Sequence, residues 1–524
     1  MAAAAKKKRK SKRPKVEVDV KELDKIVDAS LEQPLTQEDA GKLRAAIHAM
    51  AEHILAERRS SEKLDKIIDE VADKDDEGKP KEEKLPAPGH GKLGADAYTA
   101  ADRVTIAHSE LKPGCQCPEC LKGKLSEKKP STLVRVKGFA PISATVYELQ
   151  RLRCNLCGEV FTAKAPPEVG ENKYDVSVTS TIAILKFGYG IPYDRLERLQ
   201  KSVGIPMPAS TQYELLEDGA IVAKPVHQEM LRQAAQAAVI HTDDTSMKIL
   251  RVERDPKDQR TGLFTSGIVA VAENHKVGLF FTGTQHAGEN LRDVLLHRAK
   301  ELEAPVIMCD ALSWNASKLK APGAIALAHC IPHGRRKFVE VAPTFPNECL
   351  HVLTELAKVF HHDQVTREAR MAPAERLKYH KQHSAPVMSA LAAWIDEQLD
   401  GKVEPVSGLG KALKYLKKNW KPLTLFLRDG RAPVDNNICE RAIKKAVLNR
   451  KNAMFYRTLN GAQVGDLYMS IVHTCELNGV SPFEYLNALQ EQEHEELKDH
   501  AAEWMPWNYK MRLEALGKVT PAEN

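Results

Sequence analysis

The sequence predicts a multidomain α+β protein, and three observations carry that prediction. An apolar seam with heptad spacing lies near the N-terminus. Two C-x-x-C pairs follow it, and then come alternating apolar segments that end in carboxylates. Each belongs to a different kind of module. At 524 residues and 58.2 kDa the chain exceeds one ordinary core, and 43% hydrophobic residues suffice for several. No apolar run approaches the roughly 18 residues of a membrane span, and no apolar signal core opens the chain. The expectation is a soluble, cytoplasmic protein without membrane contact.

Net charge is only +6, but the cations cluster in KKKRKSKRPK at Lys6–Lys15 and again from Arg441 to Lys451. Clusters of this kind suit a polyanion. Residues 1–35 read as a disordered basic tail, with a nuclear-import signal as the competing reading. Residues 36–71 read as one helix with Leu43, Ile47, Met50, Ile54, Leu64, Ile68 and Val71 in register, interrupted at Glu57 and Ser61. That seam fits a two-stranded coiled coil and hence a homodimer, or a helix packed on its own chain. Residues 72–110, mixed in charge and bearing Pro and Gly, read as a linker.

Within residues 111–166, Cys117 and Cys120, then Cys154 and Cys157, form two knuckles around a strand pair expected at Leu133–Val136 and Ala144–Arg153. Four thiolates so spaced can close a tetrahedron on a structural Zn2+, as in a zinc ribbon. Four buried thiols without a metal are the alternative. Residues 175–222 read as helical, with Tyr193–Ser202, a Gly204 turn and Pro208–Leu216 forming a helix-turn-helix-like hairpin. Such hairpins read DNA or merely pack.

The strand at Val239 ends in Asp243 and Asp244, which alternation sends to opposite faces. A hairpin, Leu263–Ala272 with Lys276–Thr282, then a helix, His286–Lys300, then a strand, Pro305–Cys309, lead to Asp310. Three antiparallel strands, a helix and a further strand tipped by a carboxylate is the order of a ribonuclease-H-like α/β core. It spans residues 235–340 and resumes at 431–475, interrupted by an all-helical insertion at 341–430. A C-terminal helical segment covers 476–524.

In HCIPHGRRKF, His329, Cys330 and His333 are metal ligands by type or packed and hydrogen-bonded groups, while Arg335, Arg336 and Lys337 suit phosphates. On the helix after Asp435-Asn436-Asn437, Glu440 is either a surface partner of Lys444 or a site carboxylate. Arg441, Lys444, Lys445, Arg450 and Lys451 surround it with cationic charge.

HTDDT at His241–Thr245, the Asp310 strand end, HCIPHGRRKF, DNNICERAIKKAVLNRKNAMF at Asp435–Phe455 and LNGVSPFEYL at Leu477–Leu486 together resemble the IS66 family of bacterial insertion-sequence transposases. The resemblance covers nearly the whole chain. It implies a DDE-type catalytic set at Asp243, Asp310 and Glu440, with Asp244 where relatives carry Glu. It further implies Mg2+ or Mn2+ on those carboxylates, cleavage at the element's terminal repeats, and transfer of the freed 3'-hydroxyl to target DNA. The phosphate contacts expected are Arg335, Arg336, Lys337, Arg441, Lys444, Lys445, Arg450 and Lys451. A homodimer or higher oligomer on DNA, small accessory proteins of the same element and a nucleoid-associated location are implied by the same resemblance. The alternatives are a transposase-derived DNA-binding protein that no longer cuts, and a metal-dependent nuclease that cuts without joining.

Overall fold

The computed structural model describes residues 113–115, 124, 141–153, 160–164, 166, 172–252, 260, 262–311 and 323–518. The basic tail, the heptad segment 36–71, the linker and Cys117, Cys120, Cys154 and Cys157 lie outside the described residues. The chain divides into two compact units, Ser61–Ala140 and the remainder. The remainder holds a five-stranded sheet and two hydrophobic cores.

β1 (Arg151–Arg153) pairs antiparallel with β2 (Val160–Thr162). The expected strand from Ala144 is corrected: residues 144–150 are exposed and irregular, because an alternating pattern with no face buried has nothing to hold it extended. Helix α1 (Val176–Ala183) starts where Asp175 caps Ser177 N–H at 2.9 Å. It passes through one π turn into α2 (Tyr193–Ser202). Gly204, at φ +80°, ends α2, with Gly204 N–H on Lys201 O and Ile205 N–H on Gln200 O. This is the paired-bond ending that a left-handed residue permits.

α3 (Ala209–Gln236) does not stop at Leu216 as the sequence suggests. It continues through Gly219 and Pro225 because its small face, Gly219, Ala220 and Ala223, lets other helices close in. A Cβ on Gly219 would stand 2.6 Å from the Tyr468 hydroxyl. The helix therefore feeds directly into the sheet.

That sheet has five strands: β3 (Val239–Ser246), β5 (Phe264–Val271), β6 (Lys276–Gly283), β7 (Val306–Cys309) and β8 (Ala326–His329). A short β4 (Ile249–Arg251) follows β3. The spatial order is β6-β5-β3-β7-β8, with β3, β5 and β6 antiparallel and β3, β7 and β8 parallel. α4 (Ala287–Leu295) connects β6 to β7. α5 (Ile331–Val341) leaves β8. β7 is buried throughout, and its side chains alternate between two cores: Ile307 and Cys309 join one, Val306 and Met308 the other.

The second core belongs to the helical insertion: α6 (Pro346–Glu368), α7 (Pro373–Glu397), α8 (Gly408–Lys418) and α9 (Trp420–Leu423). Arg376 on α7 ties it to the chain that returns to the sheet, donating to Gly430 O at 2.8 Å, Ala432 O at 2.6 Å and the Asp363 carboxylate at 2.7 Å. α10 (Asn437–Ala453) then lies on the sheet. β9 (Tyr456–Thr458) pairs in parallel with β4, a contact the sequence did not suggest.

α11 (Leu459–Leu477) covers the free edge of β6 with a ladder of side chains. The N–H groups of Thr282, Phe280, Gly278 and Lys276 donate to Asp466, Ser470, Thr474 and Asn478 in turn, at 2.6–3.0 Å. Four helical residues rise about 6 Å and two strand residues about 6.7 Å, so the two repeats stay in step. The edge that would otherwise template another strand is closed. α12 (Pro482–Gln490), α13 (His494–Asp499) and α14 (Tyr509–Ala515) finish the chain, packing Trp504 and Tyr485 into the first core. No helix among the described residues is long and apolar enough to cross a membrane.

Candidate active site

Parity along the strands decides which carboxylates meet. His241 pairs with Met308, so Asp243 and Asp310, each two residues further on, share one face at the ends of adjacent parallel strands. Asp243 also pairs with Gly267 on β5. A Cβ on Gly267 would lie 2.9 Å from Ile443 Cδ1, and Cys439 Sγ donates to Gly267 O at 3.3 Å. α10 thus rests directly on that face. The glycine is what lets it sit so low, bringing Glu440 to the two aspartates.

Asn436, fully buried, pins the helix start to β3. Its Nδ2 donates to Thr242 O at 3.1 Å, just past the last residue paired with β7, and its Oδ1 lies 3.0 Å from His241 Nδ1. Burial depresses His241 to about 4, so the ring is neutral. With the Asn436 amide already donating, the His241 proton belongs on Nδ1.

Asp243 is raised to about 7, first by burial and then by the negative charges of Asp244, Glu440 and Asp310, against the pull of the Asp244 N–H at 2.9 Å. Three segments remote in sequence therefore press like charge on one point. His333, in the first turn of α5, stands between two of them, Nε2 3.5 Å from Asp310 Oδ2 and Nδ1 3.8 Å from Glu440 Oε1. His333 Nδ1 and Glu440 Oε1 are buried with no hydrogen-bond partner among the described residues. Glu440 thus faces His333, and no ion pair joins it to Lys444 among the described residues. Asp244 points to the other face, where it accepts from His286 Nδ1 at 3.0 Å and the Ala287 N–H at 3.4 Å at the start of α4. A carboxylate is favoured at that end of a helix.

The structure also sorts the expected phosphate contacts. Arg336, Arg441, Lys444 and Lys451 are exposed. Arg335, 9% exposed, is turned inward by its place on α5. Lys445 pairs with Glu476 at 2.8 Å, and Lys337 lies over the Tyr415 ring at 4.6 Å. Arg450 holds Thr245 Oγ1 at 3.0 Å and Ser246 Oγ at 2.8 Å, and serves to fix the end of β3 against α10. The roles of Gly267 and Asn436 were not assigned from sequence, where their only signal was position, facing or flanking the acids; His333 was singled out there by residue type, and the structure places it between Asp310 and Glu440.

Among known proteins, the chain is similar to two uncharacterized proteins of Sinorhizobium fredii. It is 27% identical to y4jD over 76% of this chain and 78% of the relative, and 23% identical to y4hP over 76% and 74%. A third, uncharacterized protein y4qI of the same organism, is 29% identical over 36% of this chain and 34% of the relative. The model of one family spans residues 172–464, from the start of the first helices through β3, Asp310, the insertion and α10 to the opening of α11. With the acidic strand ends, the insertion and the returning helix all inside that match, the chain belongs to the transposase IS66 family.

Proposed function

We propose that the chain is a DDE-type DNA transposase whose five-stranded sheet is a ribonuclease-H-like core and whose catalytic carboxylates are Asp243, Asp310 and Glu440. The observation that carries the reading is their convergence: two adjacent parallel strand ends and one helix, contributed by sequence segments far apart, direct acids at one point. Like charges so placed cost free energy unless a cation or proton offsets them. The donor set suits a hard divalent ion, since carboxylate oxygens select Mg2+ or Mn2+ and the buried Glu440 Oε1 has no hydrogen-bond partner among the described residues. Bound there, such ions would supply Lewis acidity toward the scissile phosphate and the attacking hydroxyl.

The chain's own groups do the rest. Burial and the neighbouring acids favour a proton on Asp243, which the carboxylate gives up on becoming a ligand to a divalent ion. Arg336, Arg441, Lys444 and Lys451 bind backbone phosphates beside the cut, fixing register without reading bases. Cys117, Cys120, Cys154 and Cys157 hold a structural Zn2+, and the α2–α3 hairpin and the N-terminal heptads serve end recognition and dimer formation. The protein works on the nucleoid in the cytoplasm, with accessory proteins of its element as partners.

The test is strand transfer. Purified protein, with Mn2+ or Mg2+ and a labelled duplex carrying the ends of its own element, is expected to leave label covalently joined to an unlabelled plasmid. Cut ends that never join would reduce the protein to a nuclease. Binding without cutting would leave a DNA-binding protein.

A further inference from the structure

Cys330, His333 and Glu440 present one sulfur, one nitrogen and one oxygen that all lie within 4.8 Å of one another. The grouping arises where two helix starts meet. Cys330 is the N-cap of α5 and His333 stands three residues on, the spacing at which a cap and the third helical residue face each other. Glu440 comes from the first turn of α10 opposite.

We propose that these three residues form a soft-metal site for Zn2+ that, by claiming Glu440, switches the carboxylate centre off. The switching half rests on the function proposed above; the binding half does not.

Four observations support the site. A tetrahedral Zn2+ with ligands at about 2.0–2.3 Å holds them about 3.3–3.7 Å apart, and His333 Nδ1 to Glu440 Oε1 is already 3.8 Å. Both atoms are buried and have no hydrogen-bond partner among the described residues, so an ion would displace none. Behind the ring, Asp310 Oδ2 at 3.5 Å from Nε2 stands where a carboxylate commonly fixes a zinc-bound histidine and raises its basicity. Cys330 Sγ in turn accepts the Asn436 backbone N–H at 3.4 Å, a bond that favours a thiolate against burial, which holds the thiol protonated until an ion takes the proton's place.

Zinc binding breaks the S–H bond, forms a Zn–S bond and releases the proton to solvent. Thiolate and imidazole prefer Zn2+ to Mg2+, and three protein ligands leave one position for water. Zn2+ held here ties up Glu440 directly and Asp310 through His333. The two metal states are therefore mutually exclusive.

The full chain, stripped with a chelator, is titrated with Co2+ as wild type, Cys330→Ser, His333→Gln and Asp243→Asn. Bound equivalents and the sulfur-to-cobalt absorption are read, and circular dichroism checks that each variant is folded. Cys330→Ser and His333→Gln are each expected to lose one equivalent relative to wild type, whereas Asp243→Asn keeps it. Wild-type stoichiometry in the folded His333→Gln protein overturns the site, even if Cys330→Ser does not fold. In the Mg2+ cleavage assay, Zn2+ at the concentration that fills this site is expected to lower the wild-type rate at least tenfold; an unchanged rate overturns the switch. A wild type that never cuts counts against the transposase reading alone, and the titration still decides the site.

Discussion

Asn436→Ala tests how α10 is held to β3. The substitution removes the acceptor for His241 Nδ1–H and the donor for Thr242 O, leaving two polar groups unpaired at a position with no exposed surface. Each unsatisfied buried group costs about 1–3 kcal/mol, so the loss should be about 2–6 kcal/mol. A domain of ordinary stability, about 5–15 kcal/mol, survives most of that range. Urea denaturation monitored by circular dichroism measures it. Asn436→Asp separates the two bonds, since a carboxylate still accepts from His241 but no longer donates to Thr242, and it adds a charge beside three others. It should be at least as damaging as alanine at pH 8 and milder at pH 5, where the acid can be protonated and donate again. A loss below about 1 kcal/mol for Asn436→Ala would refute the view that this amide joins strand to helix.

Gly267→Ala places a methyl 2.9 Å from Ile443 Cδ1 and should cost about 1–3 kcal/mol in denaturant while lowering cleavage more than stability, because α10 lifts Glu440 with it; equal activity would mean Ile443 simply turns aside. Asp466 is buried and raised to about 7 despite bonds from Thr282 N–H and Oγ1. Its folded pKa lies above the ordinary carboxylate value, so the stability it lends is full below about pH 4 and is lost as pH rises through about 7. Asp466→Asn should remove a decline on the order of a few kcal/mol across that window, and parallel wild-type and variant curves would show the acid is not protonated in the fold. Met454, at φ +66° and ψ −37° with Phe455 N–H on Ala453 O, sits in a strained γ-turn between α10 and β9. Met454→Gly should raise the melting midpoint, by about 1 kcal/mol in free energy; a lowered midpoint would show that the methionine side chain contributes more than the strain costs.

The strands of the core were legible because apolar runs were bounded by polar or turn residues, in β3 and β7 by acids: β3, β5, β6 and β7 each fall within a residue or two of where the pattern put them. Asp243, Asp310 and Glu440 could be paired by alternation and by family resemblance. The edge ladder on α11 was present in the sequence as Asp466, Ser470, Thr474 and Asn478 at a spacing of four. It went unread because polar residues in an apolar helix acquire meaning only once a strand edge lies beside them. The length of α3 was hidden for a related reason, since Gly219 and Pro225 read as breakers until a partner helix fills the space they leave. Among the cations, charge alone could not separate Arg336 from Arg335, one residue away on α5 and turned inward. Likewise charge alone did not show that Arg450 holds Thr245 and Ser246 at the end of β3.

The most direct measurement is divalent-metal-dependent cleavage of a duplex carrying the element's terminal repeats by Asp243→Asn, Asp310→Asn and Glu440→Gln, with DNA binding measured in parallel. The convergence of these acids predicts that each amide variant binds as wild type does and loses cleavage by two orders of magnitude or more, about 3 kcal/mol in the barrier. Cleavage that persists in any of the three, with binding intact, would contradict it.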